Sequence, residues 1–585
     1  MSIQINTIRI SNFRGISSIE IDLPRVTVLL GPNNSGKTSI IKALQLSLGD
    51  YSRFISDEDF YINELGEKQD QITVDIRIVP INDTQTAKEF STDWLLEFGD
   101  TIQSEADGQQ FLAIRTTVKQ DIIKGGFKIE RYTLNQWSEF ASWLNTPPLT
   151  KNRLTKRFDS IPFFSIEAQR DIHSELKEKG SFIGKALSSI SYNNDDITTL
   201  EKLIDKLNSE AIEKSESLKE LKVHLDQLNQ SLNSSGNTEL TPFPKKVRDL
   251  SKGFSIHFGE SDNSSFSMEY HGMGTRSWAS ILTLKAFISL QKKNHEEEVE
   301  PFFPIIAAEE PEAHLHPSAQ RTLYNQLVDN PGQVIISTHS PYIIGTAKLH
   351  ELRGLFKKDN LIISTQISSE LNSEDLNILN REIMRFRGEL LFSKAIILFE
   401  GVTEEQIIPS MFYRYFEKHC FSVGISCISV AGKNYPPFIK MAHCFNIPVF
   451  ILSDNDGETQ NEINAQTRKI KAIPNLFKED LFHIGFLSNS NDIEAELVDL
   501  ASIKEELISS LIKSETKGSD KQQYIDAKKA EIESLNRTEL LQRLRDSKAS
   551  YAGFLANEIM CSEKDKHLLI PYSVKTIFKK IQEVL

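Results

Sequence analysis

The run Gly31-Pro32-Asn33-Asn34-Ser35-Gly36-Lys37-Thr38 has the residue types and spacing of a phosphate-binding loop. Its glycines let backbone N–H groups curl round phosphate oxygens, and a helix starting there adds its positive end. Lys37 would reach the β- and γ-phosphates and the Thr38 hydroxyl would ligate Mg²⁺. Gly31, Asn34, Gly36, Lys37, Thr38 and Ser39 are therefore the candidate nucleotide contacts. Such a loop needs an acidic partner at the end of an apolar strand, and Glu309 and Glu310 follow the apolar run 304–308. Glu309 would hold Mg²⁺ directly or through water, and Glu310 would orient or deprotonate the attacking water. Glu309 stands where this pattern usually has Asp, and its longer side chain favours the indirect contact.

A second set of residues could do a different chemistry. Glu400 and Gly401 close the apolar run 395–399, and Glu404 follows one helical turn later. Asp454 and Asp456 form a DxD closing the run 448–453, and Asp492 and Glu494 form a further spaced acidic pair. Hard cations such as Mg²⁺ and Mn²⁺ take several oxygen ligands converging from separate elements. Two such ions about 4 Å apart can flank a phosphodiester, one activating water and the other stabilising the leaving oxygen. One acidic pair alone reads as solvated surface. An acidic residue closing each of two apolar strands does not. His314 and His316 lie two apart, not at the i, i+4 spacing that sets two ligands on one helix face, and receive no metal.

The elements that must position these groups follow from the hydrophobic pattern. The segments IQINTIRI and SIEIDL alternate around a turn at Asn12-Phe13-Arg14-Gly15, and RVTVLL is a continuous apolar strand running into the phosphate loop. IIKALQLSL after the loop reads as helix. Further strands are expected within 301–308, 333–338, 394–400 and 447–454, each ending on a polar residue, where open α/β sheets place their chemistry. Segment 200–211 reads as amphipathic helix, and Leu218, Leu221, Leu225, Leu228 and Leu232 give about two further heptads, suited to a helical hairpin that packs on its own core or serves as a dimerisation arm. Residues 233–244 read as its exit loop, 362–386 as polar helix, and 500–550 as a charged helical insertion or lid.

The 585 residues allow two to four domains. Lys and Arg number 67 against 81 Asp and Glu, a formal net charge of −14, which excludes a uniformly basic nucleic-acid coat but not a local basic groove. Lys151, Arg153, Lys156 and Arg157, and Lys245, Lys246 and Arg248, could meet phosphates or simply be solvated. The four cysteines form no CxxC pair, and no apolar run approaches the ~20 residues of a membrane span. The start carries no signal-peptide pattern. These features point to a cytoplasmic protein of a reducing compartment, with no membrane association.

Two more segments join the phosphate loop and the paired glutamates in a fixed order. His339 stands just past the apolar run 333–336, and His271-Gly272-Met273-Gly274-Thr275-Arg276 precedes an apolar helix. Taken together, the four elements resemble the ABC ATPases of the RecF/SMC class. The resemblance implies that His339 senses the γ-phosphate and that Gly272, Gly274 and Arg276 meet the phosphates of an opposing subunit, with ATP sandwiched in a dimer. EGVTE (400–404), SDND (453–456) and DIE (492–494) resemble a Toprim domain. A RecF-like head joined to Toprim is the architecture of the OLD (overcoming lysogenization defect) family, which includes the Gabija nuclease subunit, and the likeness covers nearly the whole chain.

That resemblance implies an α/β fold, with an ABC-type P-loop ATPase head at 1–385 (helical insertion or dimerisation arm about 170–240) followed by a Rossmann-like Toprim domain at 386–585 with its insertion about 500–550. It implies ATP with Mg²⁺ or Mn²⁺ at both sites. Glu400, Glu404, Asp454, Asp456, Asp492 and Glu494 would be metal ligands, and Glu310, Lys548, Glu400 and Asp454 the catalytic set. Lys548 is assigned by a short match and would stabilise charge on the scissile phosphate, with Lys564 and Lys566 as alternatives. The implied activity is ATP-regulated, divalent-metal-dependent DNA endonuclease in antiphage defence, as a homodimer or higher oligomer, with a helicase or a retron component as a conceivable partner. The alternative is an ATP-gated DNA-binding clamp whose Toprim domain docks a partner or is structural. A topoisomerase or primase ranks last, because no second DNA-gripping domain with a nucleophilic tyrosine is visible.

Overall fold

The computed structural model describes residues 2–49, 51, 54–82, 85–121, 123, 125–168, 193–219, 222, 242–243, 257–258, 266–267, 272–455, 457–489, 491–517, 519, 521–547 and 549–583. They form two compact units, one of residues 1–157 with 320–585 and the other of residues 158–319. Among the described residues no helix is long and apolar enough to cross a membrane.

The first unit opens with an antiparallel sheet. Ser2–Phe13 lies between Ile16–Asp22 and Gln71–Asn82, and Gln110–Gln120 continues the sheet. Ile8 faces Ile76 and Ile10 faces Val74, so β-branched side chains pair across the strands where the pleat packs them best. The turn expected at 12–15 is there, with Asn12 and Arg14 both in the left-handed region.

A second sheet is parallel where it matters for chemistry. Val26–Leu30 is buried at every residue and lies between Gln333–Ser337 and Leu352–Lys358, parallel to both. A strand covered on both faces must be apolar throughout, as the run VTVLL is. Leu361–Thr365 closes the edge antiparallel to Leu352–Lys358. This corrects the helical reading of 362–386. Asp359 and Asn360, at φ 48° and 61°, make a two-residue hairpin turn, and Ile362 and Ile363 pair as strand. Helix begins only at Ser373–Leu379, passing into a π-helical turn at Asn380–Met384.

The third sheet, also in the first unit, has four parallel strands in the order Ile425–Ser429, Ala395–Phe399, Val449–Ser453 and Phe482–Phe486. Its core gathers Phe399, Phe412, Phe450 and Phe578. Leu507, Leu511, Leu540 and Leu544 join the same core from the helices Lys504–Glu515 and Arg537–Asp546. Segment 500–550 is thus helical, with its apolar faces turned inward. The second and third sheets meet through Phe445, which lies so close to Gly354 that a Cβ there would stand 2.7 Å from its ring. A Lys440–Asp375 ion pair at 2.5 Å and the Arg387 guanidinium over the Phe438 ring add to that contact.

In the second unit, Ile305–Glu309 runs parallel to Phe163–Ile166. Helix Asn194–Lys214, capped by the Asn193 side chain, covers the expected 200–211. Leu221, Leu225, Leu228 and Leu232 lie outside the described residues, as does most of the expected exit loop.

Candidate active site

The phosphate loop leaves the sheet at the end of Val26–Leu30. Ser337 pairs with Leu29 on the neighbouring parallel strand, and Thr338 N–H donates to Leu29 O at 3.1 Å. The loop and His339 therefore emerge side by side at one sheet edge. Gly31 sits at φ 149°, and a Cβ there would lie 2.2 Å from Leu355 O, so no larger residue fits. Gly36, at φ 92°, is held to glycine by that left-handed backbone and caps the helix Lys37–Leu48 without a side chain. The N-terminus of that helix carries no side-chain cap, as a helix end that takes an anion requires. Asn34 is also left-handed, at φ 62°. The Lys37 ammonium bends back over the loop, donating to Gly31 O at 2.8 Å and Pro32 O at 2.9 Å. Thr38 is exposed and Ser39 half-buried at the mouth of the loop. His339 is half-buried and stacked on Phe392.

Glu309, Glu310, Gly272, Gly274 and Arg276 belong to the second unit. Glu309 is the last residue of its strand, and Glu310 opens the turn that follows at φ 42°. The helix expected after the glycines begins earlier, at Met273, with Gly272 as its N-cap. Gly274 is thus in its first turn, and Arg276 N–H donates to Gly272 O at 3.2 Å, closing the first helical hydrogen bond. A Cβ on Gly274 would stand 2.5 Å from His314 O, so glycine lets this turn lie against the loop after Glu310. His316 Nδ1 accepts from Ser318 N–H at 3.3 Å, a capping role. His271 lies outside the described residues.

The carboxylates assemble at the corresponding edge of the four-stranded sheet. Phe399 pairs with Leu452, so Glu400 and Asp454 leave neighbouring parallel strands together. Glu404 is buried in the first turn of the helix Val402–Phe416, and the missing Cβ of Gly401 makes room for its carboxyl. Asn455 N–H donates to Asn491 O at 3.2 Å, which ties the DxD loop to the next acidic segment. There Asp492 caps the helix Ile493–Asp499, accepting from Ala495 N–H at 2.8 Å, and Glu494 stands in its first turn.

Burial first, and then the charges of Glu404, Glu400, Asp492 and Glu494, push the Asp454 carboxyl up to about 8. Burial likewise raises Glu404 to about 7, with Glu494 and Glu400 adding to it. Glu494 is raised by the same cause. Among the described residues, Asp454 Oδ1 is buried without a hydrogen-bond partner. Mutually repelling carboxylates with a buried, unpaired oxygen form an all-oxygen donor set suited to a hard divalent cation. The described members do not close as three on one point. Asp456, the remaining candidate, lies outside the described residues, as does Lys548. Of the alternatives, Lys564 is held by Glu505 and Glu506 at 2.7 and 2.9 Å, and Lys566 lies 3.5 Å from Glu417.

Several further residues at this site were not named as candidates from the sequence. Thr403 and the buried Tyr551 hydroxyl each reach Glu494 Oε1 at 3.4 Å. Tyr435 donates to Ser453 Oγ at 3.3 Å, and Ser453 to Glu400 Oε2 at 3.4 Å. Arg545 pairs with Asp492 at 2.8 Å. Thr403 lies within the EGVTE segment, Ser453 within SDND and Tyr551 in the short segment that nominated Lys548, whereas Tyr435 and Arg545 had no signal in the sequence.

Residues 3–344 match the family model described as AAA ATPase domain, and residues 391–456 the TOPRIM domain of overcoming lysogenization defect protein-like sequences. An OLD nuclease of Thermus scotoductus is 24% identical, over 77% of this chain and 82% of its own length. Endonuclease GajA of Bacillus cereus is 23% identical over 80% and 76%, and the Old nuclease of Escherichia phage P2 is 24% identical over 78% and 78%. The chain therefore belongs to the family described as AAA ATPase domain, carries an OLD-like TOPRIM domain after it, and is similar over most of its length to proteins named as OLD nucleases.

Proposed function

We propose that this protein cuts DNA endonucleolytically by phosphodiester hydrolysis at the Toprim carboxylates, under the control of ATP bound and hydrolysed at the phosphate loop. The observation that carries the reading is the cluster around Asp454, whose buried, unpaired oxygen and raised carboxyl mark a place built for positive charge. Glu400, Glu404 and Asp454 would hold one Mg²⁺ or Mn²⁺, and Asp456, Asp492 and Glu494 would contribute to a second. Cations bound there supply Lewis-acid stabilisation and an activated water. The protein's own groups orient the set. Tyr435 and Ser453 fix Glu400, Thr403 and Tyr551 fix Glu494, and Arg545 restrains Asp492. Lys548 would face charge building on the scissile phosphate.

At the head, Gly31, Asn34, Gly36, Lys37, Thr38 and Ser39 would hold ATP and its Mg²⁺, with His339 at the γ-phosphate and Glu309 and Glu310 serving the metal and the water. Gly272, Gly274 and Arg276 would complete the site of a second copy, giving a homodimer. Domains at 1–385 and 386–585 are the division we propose. The GajA likeness and a family named for a lysogenization phenotype support a role against invading phage DNA in the cytoplasm. The test is cleavage of plasmid and linear DNA in Mg²⁺ or Mn²⁺, with and without ATP. Wild type should nick, Asp454→Ala should not, and Lys37→Ala should lose the response to ATP. Cleavage surviving in Asp454→Ala would remove the site assignment. ATP-dependent DNA binding with no scission would favour the clamp.

A further inference from the structure

Beside the His339 loop lies a cavity of about 930 Å³ that none of the chemistry above uses. One wall is the short helix Pro341–Ile344, directly after His339 and capped by Ser340, with the segment 345–350. The other is the π-helical turn Asn380–Met384 and its exit toward the Toprim sheet. Single widened turns of this kind recur at functional sites. The walls are fixed to each other by glycines. A Cβ on Gly345 would lie 2.8 Å from Met384 O, and one on Gly388 would lie 3.1 Å from Pro341 O. The two walls therefore approach each other backbone to backbone at these glycines.

Its charge runs against that of the chain. Arg321, Lys348 and Arg385 line it together with His350, and Glu389 is the single lining carboxylate among the described residues. Among the described residues none of the three cations is in an ion pair, and Arg321 lies over the Tyr342 ring at 5.5 Å. Unpaired cations round a concave wall attract an anion, and an arginine fork suits phosphate oxygens. The rim adds a second chemistry. Phe386 is 81% exposed and Tyr342 38% exposed. Exposed rings beside cations are the arrangement on which nucleic-acid bases stack. Asn377 and Asn380 supply amides within the same cavity. The volume falls in the range of small-molecule sites, roughly 300–1,000 Å³.

We infer that this cavity binds a nucleotide, its phosphate on Arg321, Lys348 and Arg385 and its base stacked on Phe386. The ligand is either a free nucleotide or one nucleotide of a single DNA strand. Because one wall begins at the His339 loop and the other leads to the Toprim strands, occupancy would report to both halves of the first unit.

The test uses the full chain carrying Lys37→Ala, so that the phosphate loop is silenced. Equilibrium dialysis with radiolabelled dATP and anisotropy of a fluorescein-labelled oligo-dT form the two arms. One of the probes should bind. Arg321→Glu and Arg385→Glu should each weaken it about tenfold or more, as the loss of a charge-assisted hydrogen bond does. Phe386→Ala should weaken it by about tenfold through lost stacking. These side chains are exposed, so melting temperatures should not move. A loss confined to the dATP arm identifies a free nucleotide, and one confined to oligo-dT identifies a strand. Binding unchanged by the charge reversals overturns the inference, and so does a charge effect with none from Phe386→Ala. Equal dATP binding by wild type and Lys37→Ala would instead count against the ATP site and leave the cavity variants to decide on their own.

Discussion

Arg545 Nε stands 2.8 Å from Asp492 Oδ2, so the helix Arg537–Asp546 sets a permanent cation against the carboxylate cluster. A guanidinium there and a divalent cation compete for the same oxygens. Arg545→Ala should therefore tighten Mn²⁺ binding several-fold, given that half-exposed pairs are worth up to about 1 kcal/mol. Calorimetric titration of the two proteins with MnCl₂ checks this. An unchanged isotherm would show that Asp492 takes no part in metal binding.

The Asp454 carboxyl is costly to the metal-free protein. It is pushed up by burial and four neighbouring carboxylates, and its Oδ1 has no partner among the described residues. Asp454→Asn removes the repulsion while keeping the shape, and should stabilise the protein in EDTA by on the order of 1–3 kcal/mol. The same variant should lose the upward shift in melting temperature that Mn²⁺ gives wild type. Thermal melts in EDTA and in Mn²⁺ check both. A lower melting temperature in EDTA would mean that Asp454 serves the fold and not an ion.

These two residues also mark how far the sequence could be read. Asp454, Glu400 and the phosphate loop were legible because each ends an apolar run, and parallel strands carry such residues to one edge. Arg545 was not, because it meets Asp492 across 53 residues through helix packing that no local pattern encodes. Tyr435 is likewise an ordinary residue made relevant by tertiary contact. Leu361–Thr365 was misread because Ser364 and Thr365 look polar, while the deciding signal was the Asp359-Asn360 turn. Gly354 had no signal in the sequence, although its lack of a side chain is what admits Phe445.

Gly354 therefore tests coupling between the two sheets of the first unit. A Cβ there would stand 2.5 Å from Thr365 Oγ1 and 2.7 Å from the Phe445 ring, in the strand beside the one that leads to the phosphate loop. Gly354→Ala should cost about 1–3 kcal/mol through overpacking. It should also blunt the effect of ATP on cleavage while leaving ATP affinity within about twofold, because the phosphate loop itself is untouched. Nucleotide binding and cleavage measured side by side check this. Full ATP control in a destabilised variant would show that Phe445 transmits nothing.

His443 sets a pH limit on stability. It is 1% exposed, accepts Lys478 N–H on Nδ1 at 2.9 Å, and stacks on Phe477. Burial, with Lys478 adding to it, lowers the imidazole from 6.5 to about 4. The unfolded chain then takes up the proton first. The contribution of neutral His443 is whole above about pH 6.5 and is lost as pH falls toward 4, on the order of 3 kcal/mol across the window. Glu404 and Asp454, both raised, act in the opposite sense, losing stability as pH rises through about 7 and 8. Wild type must therefore be compared with His443→Gln at each pH, so that the carboxylates cancel. Urea unfolding from pH 7 to pH 4.5 should show the wild type losing ground on the variant as the pH falls. Parallel curves would show that His443 is protonated in the folded state as readily as in the unfolded chain.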